Sequence, residues 1–140
     1  MNLFLYIPTK EIRESLLVRL IGERIPQFRI EIFRSAEDFK AKLNQLRYEF
    51  TVAVVFAPDR QDISDVLSLE HVLRDIQIIL IISRENHGTL SMAHFLKPRF
   101  ISYFSRISKE INAGEITSVL QKMSEYQISS HYLTKISARI

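Results

Sequence analysis

The stretch Val52-Ala53-Val54-Val55-Phe56 contains no polar side chain and is short enough to form a single β-strand. A strand that is apolar on both sides is typical of the centre of a parallel sheet covered by helices on both faces. Ile76–Ile82 is the most apolar segment of the chain and predicts a second central strand. Leu3–Ile7 is a short, continuous apolar run that predicts a further strand. Because parallel strands must be joined by crossover connections, which are usually helices, these segments predict an α/β fold.

Amphipathic helices are predicted between these strands. Thr9 is expected to cap the first helix, and Pro26 is expected to end it. The segment Phe28–Ile32 alternates apolar and charged residues, which predicts an edge or half-buried strand. The apolar stripe of the first helix recurs at helical spacing and consists of Ile12, Leu16, Leu17, Leu20, Ile21 and Ile25.

Four further helices and a fifth strand, Phe100–Phe104, complete the pattern. Ser35 is expected to cap the second helix, Asp62 to start the third, and Asn86-His87-Gly88 to open a fourth that ends at Pro98. Five βα units with right-handed crossovers predict a doubly wound, five-stranded parallel sheet in a single domain. The inward-facing residues are predicted to be Phe39, Leu43 and Leu46, then Ile63, Val66, Leu67 and Leu73, and finally Ile116, Val119, Leu120 and Met123. The fourth helix is predicted to carry the apolar residues Met92, Phe95 and Leu96.

The composition excludes several classes of protein. The 140 residues are 46% hydrophobic and 25% charged, which is ordinary for a folded domain, and the absence of cysteine excludes disulfides and thiolate sites. The longest apolar run, Ile78–Ile82, is too short to span a bilayer, and the strand-like start shows no signal peptide, so we expect a cytoplasmic protein without membrane contact. No histidine pair has the spacing of metal ligands, and no glycine-rich loop follows a strand, so neither a metal nor a cofactor is expected.

Two segments resemble the receiver domains of bacterial two-component response regulators. Asp75-Ile76-Gln77-Ile78-Ile79-Leu80-Ile81-Ile82-Ser83 is similar to the fourth strand of that family, and Ser102-Tyr103-Phe104-Ser105-Arg106 is similar to its fifth-strand segment. The resemblance covers residues 1–126. It implies a flavodoxin-like, receiver-like fold for this part of the chain, followed by a C-terminal amphipathic extension at residues 127–140.

The resemblance also implies that the phosphorylation site of this family is degenerate here. Ile7 and Pro8 stand where the family has two Mg²⁺-binding acidic residues, and Phe56 stands where it has the phosphorylated aspartate. Ile82 replaces its hydroxyl residue, and Arg106 replaces its lysine. We therefore expect a pseudo-receiver that is not an enzyme. We also expect Phe56 to pack inward near Ile7 and Ile82.

Two neighbouring polar residues do not restore the site. Ser83 could supply the missing hydroxyl only if the alignment moved by one residue, and a hydroxyl alone provides neither a metal ligand nor a nucleophile. Asp59 is expected in the loop after Phe56, where it could form an exposed ion pair with Arg106.

The expected function is therefore phosphorylation-independent protein–protein interaction in bacterial signal transduction, with a partner that the sequence does not identify. The expected interaction face combines the fourth helix, the fifth strand and the fifth helix, including Phe95 and the family's aromatic switch position, Tyr103. One alternative is a small-ligand sensor that uses the crevice at the carboxyl ends of the strands. An apolar lining, however, is more typical of a crevice filled by the protein's own side chains than of a site for a polar ligand. A second alternative is nucleic-acid binding by residues 86–140, which carry seven Lys+Arg and three Asp+Glu, a net charge of +4, but no basic cluster or motif.

The C-terminal extension carries a second apolar stripe, Ile128, Tyr132, Ile136 and Ile140. At about 100° per residue, this stripe points roughly opposite to the stripe of the fifth helix, so one straight helix cannot press both onto the same sheet. Either the chain breaks near Ser129-Ser130, or the second stripe contacts a partner protein or a second copy of the chain. A frayed tail is a further alternative, since chain termini are often disordered. We prefer a contact with a partner, in which the extension supports partner docking or a homodimer.

Overall fold

The computed structural model describes residues 1–10, 12–46, 49–85 and 88–139, and it describes residues 128–139 by their backbone alone. Its centre is a five-stranded sheet in which every pair of neighbouring strands is parallel. The strands are β1 (Asn2–Tyr6), β2 (Arg29–Phe33), β3 (Thr51–Phe56), β4 (Gln77–Ser83) and β5 (Phe100–Phe104), in the spatial order β2-β1-β3-β4-β5. The three apolar segments of the sequence thus form the three central strands, β3 and β4 as predicted, and the alternating segment forms an edge strand, also as predicted.

Six α-helices connect or follow these strands in the described part of the chain. They are α1 (Ser15–Arg24), α2 (Ala36–Gln45), α3 (Arg60–Leu67), α4 (Glu70–Leu73), α5 (Thr89–Ala93) and α6 (Ala113–Arg139), and a 3₁₀ turn, His94–Leu96, follows α5. The helices alternate with the strands as the sequence predicts. The chain therefore has a flavodoxin-like, doubly wound α/β fold.

The two faces of the sheet are covered by different helices. One core layer contains Leu17 and Ile21 from α1 and Ile116 and Leu120 from α6. The other contains side chains from α2, α3, α4 and α5. Because successive residues of a strand point to opposite faces, β3 contributes Val52, Val54 and Phe56 to the first layer, and Ala53 and Val55 to the second.

The first helix begins later than the sequence predicts. Thr9 does not cap it, since α1 starts at Ser15 with Glu14 as the capping residue. Ile12 is buried although it precedes the helix, so it contributes to the core from the loop. Leu16 is 47% exposed because Leu17 and Ile21 set the inward direction of α1, and Leu16 lies about 100° away from Leu17 around the helix.

The third predicted helix is interrupted and begins before Asp62. Asp59 caps α3, and Asp62 accepts a hydrogen bond from the backbone N–H of Asp59 at 3.1 Å in a reciprocal capping box. The chain then turns at Ser68-Leu69 before α4 begins. Ser35 caps α2 as predicted, and its hydroxyl accepts a hydrogen bond from the N–H of Asp38 at 3.2 Å.

The last helix is longer than the stripe that packs on the sheet. α6 continues without a break through Ser129-Ser130 to Arg139, so the alternative of a chain break there is wrong. At 1.5 Å per residue, α6 is about 40 Å long. Ile116, Leu120 and Met123 are buried as predicted, whereas the side chains of the second stripe lie outside the described ones. The division at residue 126 therefore stays a prediction.

No helix in the described residues is long and apolar enough to cross a membrane.

Candidate functional site: the carboxyl edge of the sheet

Phe56 ends β3 and fills the position where the resemblance places a phosphorylated carboxylate. Its side chain is fully buried in the core layer that also contains Ile7 and Phe104. The Phe104 ring meets it edge-on, with 4.9 Å between the ring centroids and 86° between the planes. This edge-to-face geometry is favourable for aromatic pairs, so the site position is part of the apolar core.

Ile82 lies on the opposite face of the sheet from Phe56. The sequence-based expectation that these two residues pack together is therefore wrong, although both are buried. The parallel register pairs Phe56 with Ile81 and places Ile82 opposite Tyr103 of β5. Since alternate residues of a strand face opposite ways, Ile81 rather than Ile82 contributes to the Phe56 layer.

Ile7 and Pro8, which stand where the resemblance places two acidic residues, differ in exposure. Ile7 is buried, and its N–H donates to the carbonyl of Phe33 at 2.9 Å, which extends the contact between β1 and β2. Pro8 is exposed at the start of the following loop. Neither side chain carries an oxygen, so neither can bind a hard cation such as Mg²⁺.

Arg106 forms the ion pair with Asp59 that the sequence suggests. The guanidinium donates to Asp59 Oδ2 at 2.6 Å, and both side chains are about two-fifths exposed. Asp62, which completes the capping box, has its pKa raised mainly by burial. An ion pair this exposed contributes only about 0–1 kcal/mol, so it joins two loops without creating a strong binding site.

Glu85 organises the loop after β4 and could not be recognised from the sequence. Its carboxylate accepts hydrogen bonds from Ser83 Oγ at 3.0 Å and from Ser105 Oγ at 2.9 Å. These bonds lower the pKa of Glu85, and the Ser105 hydroxyl is the largest cause. Ser83, the hydroxyl residue that follows Ile82, thus donates to a carboxylate of its own loop. No sequence motif marks this arrangement, because it depends on how the loops after β4 and β5 meet.

Tyr103 and Phe95, the described members of the predicted interaction face, lie in different grooves. Tyr103 is 40% exposed, and the Arg84 guanidinium lies 6.0 Å from the centroid of its ring. Phe95 is 70% exposed and lies beside α4, in a depression that it shares with Arg74 and Ile78. The other predicted members, Tyr132, Ile136 and Ile140, fall outside the described side chains.

The polar groups at this edge are bonded mainly to one another. Arg106 binds Asp59, and Glu85 binds two serine hydroxyls. Within the described residues, no group of three His, Asp or Glu side chains could hold a metal ion. These contacts join the loops that follow β3, β4 and β5.

Comparison with known proteins found no match to any family model, curated protein or solved structure.

Proposed function

We propose that this chain is a pseudo-receiver, a receiver-like domain that acts by protein–protein contact and is not switched by phosphorylation. It would work in the cytoplasm of a bacterial cell as part of a signal transduction pathway, without catalysis of its own. The proposal rests on the resemblance of residues 1–126 to receiver domains and on the burial of Phe56.

The observation that carries the proposal is the core contact between Phe56 and Phe104. Phosphoryl transfer requires a nucleophile and groups that neutralise the developing charge. A phenylalanine ring packed edge-on against a second ring provides neither, and Ile7 belongs to the same apolar core layer. The fold is thereby kept while its switch chemistry is replaced by apolar packing.

Exposed apolar side chains on the β5 side supply a surface for a protein partner. Phe95 and Tyr103 are well exposed, and Ile107, in the loop after β5, is 89% exposed. Large exposed apolar residues are a feature of interaction sites on folded domains. Here they lie towards the two ends of β4, with Phe95 beside Ile78 and Tyr103 opposite Ile82. This is the same side of the sheet on which the sequence predicts the interaction face.

Crosslinking capture from the source organism tests this function. The tagged chain should capture a defined partner, and Phe95→Glu or Tyr103→Glu should reduce the recovered partner at least about tenfold, because a charge in an apolar contact is costly. Ile32→Glu is the matched control, since Ile32 is an exposed apolar residue on the opposite edge strand β2. Equal capture by all three variants, or no reproducible partner, contradicts the proposed function.

A further inference from the structure

A long groove runs along the surface between the start of α1 and the loop that joins β5 to α6. It consists of two adjoining depressions with volumes of about 670 and 550 Å³. They form one continuous groove because they share five lining residues, Leu16, Ser108, Glu110, Ile111 and Ala113. Both depressions are open to solvent, so the groove suits an extended chain better than an enclosed small molecule.

The charges along this groove are predominantly positive. Lys10, Arg13 and Lys109 line one depression, and Arg84 lines the other. Glu110 is the only acidic residue among the described residues that line it. In the described part of the chain, the side chains of Lys10, Arg13 and Lys109 form no ion pair or hydrogen bond. The groove therefore presents positive charge that a partner can neutralise.

Apolar groups lie between these charges. Leu16 is the exposed residue of α1 noted above, and it lines both depressions. Tyr103 lines the second depression beneath the Arg84 guanidinium, so it presents an aromatic ring beside a positive charge. A ligand that carries both carboxylates and apolar side chains would match this lining more completely than a simple anion would.

We infer that this groove binds an acidic peptide segment of a partner protein, with carboxylates at the basic residues and an apolar anchor at Leu16 and Tyr103. The inference rests on the proposed function and specifies the chemistry of the partner. Acidic residues supply the charge complementarity that the four cations require, and a backbone in extended form follows the open shape.

Fluorescence anisotropy with a labelled synthetic peptide of alternating glutamate and leucine tests the inference. The unmodified protein should bind this peptide, and the affinity should fall as salt is added. Arg13→Glu and Lys109→Glu should each weaken binding about tenfold, because each reverses a charge that lines the groove. Glu110→Gln should tighten binding, since it removes the opposing carboxylate.

Two charge reversals outside the groove serve as matched controls. Arg24→Glu lies at the far end of α1, eight residues or about 12 Å along the helix from Leu16. Lys40→Glu lies on α2 at the other face of the sheet, and both residues are exposed. They should change the affinity less than about twofold, as expected for screened charges at a distance. Circular dichroism of every variant checks that the fold is retained, so that a loss of binding reports on the groove.

Absence of binding by the unmodified protein, or equal weakening by groove and control variants, overturns the acidic-peptide groove. Equal affinity for a lysine–leucine peptide, or displacement by an equal concentration of inorganic phosphate, also overturns it. These results leave the proposed function standing, because the capture experiment also tests Phe95→Glu against Ile32→Glu, and both of these residues lie outside the groove, whereas Tyr103 lines it. Conversely, failure of that capture experiment would count against the interaction module even if the peptide binds.

Discussion

At the scale of single residues, Phe56 places an apolar ring at the carboxyl edge of the sheet, where the resemblance to receiver domains places a carboxylate. Its ring is fully buried and contacts Phe104 edge-on. A carboxylate at this position would lose its hydration without gaining a cation, since the neighbouring Ile7 is apolar and Arg106 is already paired with Asp59. The residue that removes the expected phosphorylation site is therefore also a large contributor to the core.

Phe56→Asp should destabilise the protein rather than restore a switch. Removing a buried phenylalanine ring costs about 3–5 kcal/mol, and an unpaired buried carboxylate adds to that cost. Urea unfolding measures the change, with Phe95→Asp as the control, because Phe95 is mostly exposed and should lose less than about 0.5 kcal/mol. A melting temperature of Phe56→Asp at or above that of the unmodified protein contradicts the proposed packing.

Glu85 is the residue whose ionisation reports on the loop contacts at this edge. Its pKa is lower than the ordinary value of 4.5, chiefly because Ser105 donates to it. A carboxyl group with a depressed folded pKa contributes stability above its ordinary pKa, and that contribution is lost as the pH falls through the folded pKa. The contact between the loops after β4 and β5 should thus weaken below about pH 4.5.

Ser105→Ala should raise the pKa of Glu85 towards its ordinary value, because it removes the largest cause of the shift. Titration of the Glu85 carboxyl carbon by nuclear magnetic resonance measures this change. Ser108→Ala is the control, since Ser108 is an exposed hydroxyl in the same loop that does not bond to Glu85. An unchanged pKa in Ser105→Ala means that this hydrogen bond does not form in solution.

At the scale of elements, patterns with a single physical cause were predictable from the sequence. The central strands β1, β3 and β4 are apolar on both sides because helices cover both faces, and their order along the chain predicted the sheet. Ser35 caps α2 through a local hydrogen bond to Asp38, which needs only the two residues involved. Such short-range signals are readable without knowledge of tertiary contacts.

Features that depend on tertiary contacts were not predictable. α1 begins at Ser15 rather than after Thr9, because Ile12 reaches the core from a loop. No local sequence rule distinguishes a buried loop residue such as Ile12 from a buried residue of a helix. Ile82 faces away from Phe56 because the register between β3 and β4 decides which side chains meet, and that register pairs Phe56 with Ile81. The sequence of either strand alone does not reveal this register. The hydrogen bond from Ser105 to Glu85 likewise forms only when two separate loops meet.

At the scale of the whole molecule, the backbone of α6 continues well past the apolar stripe that packs on the sheet. Among the side chains that the structure describes, the last buried ones in α6 are Met123 and Ser124, and its backbone continues to Arg139. The sequence of the final part carries the second apolar stripe, which begins at Ile128. Because the helix does not break at Ser129-Ser130, the remaining prediction is that this stripe contacts a partner or a second copy of the chain.

Deleting residues 128–140 should leave a folded domain, since Ile116, Leu120 and Met123 remain to bury α6 against the sheet. Light scattering should then show a smaller assembly, or the partner captured by the full chain should be lost. Far-ultraviolet circular dichroism controls for loss of fold. If the full and shortened chains have the same mass in solution and capture the same partner equally well, the extension has no role in association.

The most direct measurement concerns the switch chemistry that the molecule is proposed to lack. The purified protein is incubated with acetyl phosphate and Mg²⁺, and its intact mass is recorded beside that of a phosphorylatable receiver domain in the same mixture. A pseudo-receiver predicts an unchanged mass, because Ile7, Pro8 and Phe56 provide no carboxylate for the metal or the phosphoryl group. A stoichiometric, acid-labile phosphoryl group on this chain would contradict the proposal.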